Sequence, residues 1–269
     1  MKNLSESLLV TPGRKVRLSG VRTDDTAGLK DKEQGLPFLE KNLQRMGSLH
    51  YLLYAEARRS LLVVLQAMDA GGKDGTIRHV MTGLNPQGCR VTSFKQPSAE
   101  ELAHDFLWRV HHAVPARGEI GVFNRSHYED VLVVRVHGLV PKPVWKERYR
   151  QINEFEWMLH QNEVHILKFF LHISRREQTR RLRARLEDPT RQWKITEEDF
   201  SERELWSDYA AAYEAILSKC STPWAPWYII PSDHKWFRDL AVSQIIADAL
   251  EGLHMRFPKP KLDLSKMQL

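Results

Sequence analysis

The sequence predicts an α/β fold, a parallel sheet covered by helices on both faces. Apolar, β-branched runs alternate with segments of helical periodicity about five times along the 269 residues, the pattern of a parallel sheet with crossover helices. One run, Leu61-Leu62-Val63-Val64-Leu65, is apolar throughout, as a strand buried on both faces must be. A glycine-rich turn at Gly71 and Gly72 follows it and opens a helix. No repeat or low-complexity segment competes with this reading.

In chain order, residues 1–37 carry Pro12, Gly13, Gly20, Gly28, Gly35 and Pro37 among mixed charges and read as an extended arm without a core of its own, its Arg14, Lys15 and Arg17 solvated. Residues 38–60 place Leu39, Leu43, Met46, Leu53 and Ala57 on one helical face, expected to pack on the sheet edge. The helix after the glycine turn, residues 76–84, stops at Asn85-Pro86-Gln87-Gly88, and residues 89–94 form a second strand. Ser98 with Glu101 is a capping-box pair, opening a helix with Leu102, Phe106 and Val110 on its apolar face.

A third strand, residues 120–123, ends in the polar cluster Asn124-Arg125-Ser126-His127-Tyr128-Glu129-Asp130. Polar groups at the carboxyl end of a buried strand are where α/β sheets place ligand sites. A helix at 144–161 follows Pro141 and Pro143, and a fourth strand spans 164–173. Residues 175–194 are the most basic stretch, with Arg176, Arg180 and Arg183 at helical spacing and Arg181 and Arg185 beside them. Their mutual repulsion costs stability unless an anion relieves it. Residues 196–219 read as a helix, 227–230 as the last strand, 235–253 as a closing helix, and 256–269 as a loosely held tail.

Formal net charge is +6, from 40 Lys+Arg against 34 Asp+Glu, which suits phosphate-rich small molecules, nucleic acid or an anionic surface as partners. The start, MKNLSESLLVTPG, holds no apolar core long enough for a signal peptide, and no run approaches a membrane span, so a soluble cytoplasmic protein is expected. Cys89 and Cys220 stand alone, without the spacing of a disulfide framework or a zinc site.

The turn after the first strand reads Ala67-x-x-x-x-Gly72-Lys73-Asp74, close to the phosphate-loop pattern but with Ala at its first glycine and Asp at its hydroxyl. The amides of Gly71, Gly72 and Lys73 can converge on an anion at a helix N-terminus. The missing hydroxyl removes a Mg²⁺ ligand, which Asp69 and Asp74 can replace; alternatively these aspartates shape the turn and cap the helix. With the arginine segment as a lid, the features suit phosphoryl transfer, which depends on positioning and charge neutralisation.

DAGGKDGT at 69–76, FNRSHYEDV at 123–131 and the arginine segment ending in DPTRQWK at 188–194 together resemble the polyphosphate kinase 2 family. The resemblance covers about residues 40–255. It implies a P-loop kinase-like fold in a domain at 38–255, a helical lid at about 175–200, and Mg²⁺-dependent transfer between inorganic polyphosphate and AMP or ADP by a homo-oligomer. It implies catalytic roles for Asp69, Lys73, Arg125 and Arg181, with the metal on Asp69 and Glu129. A polyphosphate groove would comprise Gly71, Gly72, Lys73, Asp74, Arg78, Lys95, Lys235 and Arg238, with Arg90 a further candidate. The nucleotide would meet Asn124, Arg125, His127, Glu129, Arg185 and Lys194. Many members have Asp where this chain has Asn124, and the FNRS form resembles the branch that accepts both AMP and ADP. An ATP-dependent nucleotide or nucleoside kinase is the alternative, which Asp74 disfavours. A nucleic-acid-binding module is the third reading, and no module signature supports it.

Overall fold

The computed structural model describes residues 3–260 and 262. Five parallel strands, β1 (Ser60–Ala67), β2 (Cys89–Ser93), β3 (Ile120–Asn124), β4 (Val164–His172) and β5 (Trp227–Pro231), form a sheet of order β2-β3-β1-β4-β5. The all-apolar β1 is therefore central, and every residue of it is buried. The helices are α1 (Leu4–Ser7), α2 (Lys32–Glu56), α3 (Lys73–Val80), α4 (Ala99–Leu102), α5 (Trp108–Ala113), α6 (Val133–Val136), α7 (Lys142–Gln161), α8 (Arg175–Leu186), α9 (Glu198–Glu204), α10 (Trp206–Cys220) and α11 (Lys235–Gly252).

Strand residues alternate between two cores, as the two-residue strand period requires. Leu62, Val64, Phe123, Ile166, Phe170 and Trp227 face α5, α7 and α10, while Leu61, Val63, Leu65, Val122, Phe169 and Ile230 face α2, α3 and α11. Helices thus cover both faces, as the strand-helix alternation predicts. The first long helix corrects the expected edge packing. Its Met46 and Leu53 join the core on the α11 face of the sheet.

Two boundaries also differ from the sequence reading. Helix α2 starts at Lys32, capped by Asp31, and carries Pro37 within it, so the arm ends earlier than residue 37. The arm itself is partly buried. Leu4, Val10 and Leu18 enter the cores, and the Val10 amide donates to the Trp227 carbonyl at 2.8 Å while the Ile229 amide donates to the Leu8 carbonyl at 3.0 Å. These bonds shield the otherwise open β5 edge. The helix expected from Ser98 to Val110 is split into α4 and α5. The capping box forms, but Asp105 Oδ1 accepts from the Leu107 amide at 2.9 Å, a local turn that competes with helix. Similarly, the helix expected over 196–219 is divided at Leu205 into α9 and α10.

Candidate active site

The glycine turn lies at the carboxyl end of central β1 and leads directly into α3, with Gly72 as N-cap. Both glycines are sterically required. Gly72 sits at φ +107°, and a Cβ there would lie 2.0 Å from Arg238 Nη1; a Cβ on Gly71 would lie 2.4 Å from Ala67 Cβ. Lys73 donates to the Ala67 carbonyl at 3.3 Å, folding back over the loop. Burial pushes its ammonium below the ordinary lysine value and Arg125 adds to this, while Asp69, Glu129 and Asp74 oppose it.

The polar cluster after β3 faces this loop because β3 is the parallel neighbour of β1. Arg125 occupies the left-handed region at φ 63°, held there by its amide donating to the Leu65 carbonyl at 3.1 Å. Its Nη2 lies 3.6 Å from Asp69 Oδ1. Burial works against its charge, and Glu129 and Asp69 outweigh that and hold its pKa above the usual value. Gln66, buried on β1, donates to Glu129 Oε1 at 2.9 Å and accepts from Ser126 Oγ at 3.3 Å, which fixes the Glu129 carboxylate. Asp69 and Glu129 both raise the pKa of the Tyr209 and Tyr213 hydroxyls on α10, where burial is the leading cause. The two carboxylates, Lys73 and Arg125 therefore share one cleft. Among the described residues no group of three or more His, Cys, Asp and Glu is placed to hold a metal.

Asp74 and Asn124 meet across the cleft mouth, Asn124 Nδ2 donating to Asp74 Oδ1 at 2.9 Å. The segment following α8 closes on the same carboxylate, with Lys194 Nζ 3.8 Å from Asp74 Oδ2. Thus the basic segment and the glycine loop stand face to face. Trp193, 77 % exposed, lies beneath the same ammonium, 5.1 Å from Nζ to the ring centroid. Arg185 is 4.0 Å from Asp199 on α9.

Four sequence-assigned residues take other places. Arg181 is buried, and its guanidinium donates to the carbonyls of Ala70 and Gly71, each at 2.9 Å, to the Ser232 carbonyl, and to Glu177 Oε1 at 2.7 Å. With its donors spent on protein oxygens, it positions the loop and does not point at a transferred group. Arg238 is also buried, bound by Nε to Asp239 Oδ1 at 2.8 Å and lying behind Gly72; it supports the loop and does not line a groove. His127 is buried with Nε2 3.1 Å from Glu156 Oε1, and its ring does not line the cleft surface. Arg90, on the first half of β2, donates to the Ala113 carbonyl at 3.1 Å and lies toward the opposite end of the sheet. Arg78, Lys95 and Lys235 are exposed. Lys235 is pushed below the usual lysine value by partial burial and by Arg181, Arg180 and Arg238, which marks a shared basic patch.

Sequence reasoning missed Gln66, Gln178, Tyr209 and Tyr213. Gln178 Nε2 donates to the Asp69 carbonyl at 3.0 Å, so α8 braces the loop at three consecutive carbonyls together with Arg181. Gln66 had a signal: a lone amide in an otherwise apolar buried strand needs a polar partner. The arm reaches this region too. Thr23 Oγ1 donates to Asp233 Oδ2 at 2.9 Å, and the Ser174 amide at the start of α8 donates to Asp233 Oδ1 at 2.8 Å.

A family model for polyphosphate kinase 2 matches residues 30–258. The chain belongs to the polyphosphate kinase 2 family. Within the family, it is 51 % identical over 259 residues to an AMP/ADP-polyphosphate phosphotransferase of Meiothermus ruber, covering 96 % of this chain and 97 % of that protein. It is 46 % identical over 271 residues to an ADP-polyphosphate phosphotransferase of Rhodopseudomonas palustris, covering 96 % and 94 %. The crystal structure of polyphosphate kinase 2 from Arthrobacter aurescens superposes with a TM-score of 0.94 at 42 % identity, over 98 % of this chain and 94 % of that one. The polyphosphate kinase 2 fold is thus that of a P-loop kinase, and the three motifs quoted from the sequence converge on one cleft in it.

Asp130, beside Glu129 in the second motif, yields a pH prediction. Burial pushes its carboxyl up to about 6, against Arg148 and Arg109 and with Glu129 adding to the rise; Arg148 Nη1 is 2.9 Å away. Because the folded pKa exceeds the unfolded one, the folded state binds more protons between about pH 4 and 6, and this contribution to stability is lost as pH rises through 6. Asp130→Asn is expected to remove that slope, so that variant and parent unfolding free energies, measured in urea from pH 4 to 7, diverge in the variant's favour by up to roughly 3 kcal/mol. Parallel curves would contradict it.

Proposed function

We propose that this chain transfers a phosphoryl group between inorganic polyphosphate and a nucleoside mono- or diphosphate, AMP or ADP, to form ADP and ATP. The observation that carries the reading is the convergence of Lys73, Arg125 and Lys194 on one cleft with Asp69 and Glu129. Three cations from three segments match a polyanionic donor, and the names of the relatives match a nucleotide acceptor. Lys73 and the amides of Gly71 and Gly72 hold the phosphate that moves. Arg125 neutralises charge on the acceptor side, and Lys194 leaves Asp74 to meet substrate phosphate when the lid closes. Exposed Arg78, Lys95, Arg180 and Lys235 extend the cationic path for the polymer.

Mg²⁺ is the proposed metal, held by Asp69 and Glu129. Magnesium takes one or two carboxylates and completes its shell with water and substrate phosphate, so two acidic side chains in the cleft, without a third protein ligand cluster, fit it. When bound, it neutralises phosphate charge in the transition state. A homo-oligomer in the cytoplasm is proposed as well; among the described residues no helix is long and apolar enough to cross a membrane.

The test supplies polyphosphate and Mg²⁺ with AMP and ADP in separate reactions, and separates the nucleotides formed. ADP and ATP are expected products. Turnover only with ATP as donor would support the ordinary kinase reading instead, and tight RNA or DNA binding without turnover the nucleic-acid one.

A further inference from the structure

A charged cluster buried beneath the second motif has no part in the chemistry derived above. Lys168, in the middle of apolar β4, is fully buried, and its ammonium donates to Glu156 Oε2 at 2.5 Å, the Cys220 carbonyl at 2.6 Å and the Tyr128 hydroxyl at 2.8 Å. Those three bonds exhaust the donors of an ammonium. Glu156, equally buried on α7, uses its other oxygen, Oε1, for both motif residues: it accepts from the Tyr128 hydroxyl at 2.8 Å and faces His127 Nε2 at 3.1 Å. Burial alone would push this carboxyl up, and Lys168 and His127 outweigh it and hold it below its usual value.

The cluster ties β4, α7 and the end of α10 to His127 and Tyr128. These two residues sit between Arg125 and Glu129 in the chain. A buried ion pair is weak ground for stability, because the desolvation of both charges offsets most of their attraction. Arg125, by contrast, is held in a left-handed conformation, which persists only where the surroundings over-determine it. Gln66 pins the turn from the β1 side through Ser126 and Glu129. Lys168 and Glu156 pin it from the other.

We propose that Lys168 and Glu156 are positioning residues for phosphoryl transfer: acting through His127 and Tyr128, they hold Arg125 and Glu129 in register with Lys73. The proposal rests on the functional reading above, and neither residue touches substrate. It separates two quantities that a purely structural cluster would move together, stability and turnover.

The experiment compares the parent, Tyr128→Phe, Lys168→Met, and the double variant Lys168→Met/Glu156→Leu, by thermal unfolding and by steady-state ATP formation from polyphosphate and ADP. Lys168→Met alone leaves Glu156 as an uncompensated buried charge and is expected to be strongly destabilised. The double variant is expected to regain parental stability, since apolar residues often replace a buried pair at no loss. Its kcat should nevertheless stay about 10²-fold down, the cost of a small misplacement of reacting groups, with KM for polyphosphate unchanged because the glycine loop is untouched. Tyr128→Phe keeps the ion pair and the packing, so it is the variant that folds in any event; it removes only one of the cluster's ties to the turn, so its kcat should fall by a smaller factor, about tenfold. Parental kcat in folded Tyr128→Phe, or kcat recovering with stability in the double variant, would overturn the proposal. A parent that forms no ATP from polyphosphate would instead defeat the functional reading, and the inference with it.

Discussion

Lys73→Met is expected to reduce ATP formation from polyphosphate and ADP by roughly 10³-fold, the scale set by removing a preorganised charge-stabilising group from a water-poor site, while the protein stays folded. The ammonium makes one long hydrogen bond to the Ala67 carbonyl at 3.3 Å, so little native structure depends on it. Its surroundings are prepared for a different partner. Burial and Arg125 disfavour the charge, and the three carboxylates of Asp69, Asp74 and Glu129 offset this. A phosphate entering the loop completes the balance, and methionine keeps the volume but offers no charge. Circular dichroism and thermal unfolding report the fold, and coupled ATP detection the rate. Activity within tenfold of the parent would place the transferred phosphate elsewhere.

Such an outcome was legible in the sequence to an uneven degree. The five parallel strands follow from apolar runs separated by helical periodicity, and β1 was recognisable as buried on both faces because its run from Leu61 to Leu65 is apolar throughout. Lys73, Asp69, Arg125 and Glu129 were legible because strand ends and glycine turns announce where a sheet binds anions. Side-chain direction was not legible. Arginine reads the same in a sequence whether it faces solvent or backbone carbonyls, and within α8 Arg180 is exposed while its neighbour Arg181 is buried. A one-residue step on a helix turns the side chain by about 100°, enough to separate those fates. The break in the helix predicted from Ser98 had a local cause, the turn at Asp105, that periodicity averages over. His127 misled for a related reason, since a polar motif next to a ligand site also contains the residues that anchor it from below.

Arg181→Ala is expected to show the largest loss of stability of any single change in the lid helix, about 3 to 5 kcal/mol, the range for removing one member of a buried charge pair. The Ala70, Gly71 and Ser232 carbonyls would all lose this donor at once, and Glu177 would keep only exposed Arg180 as its cation; each buried group left unmade carries its own desolvation penalty. Arg183, exposed two residues later, supplies the control: its alanine variant is expected within about 0.5 kcal/mol of the parent. Activity should separate the two roles that arginine can have here. If Arg181 shapes the loop, its removal lets the amides of Gly71 and Gly72 drift, and KM for polyphosphate rises along with the fall in kcat. If Arg181 instead reached the transferred phosphoryl group, kcat would collapse at constant KM and the midpoint of urea unfolding would barely move. The four carbonyl and carboxylate partners already occupying its guanidinium favour the first result.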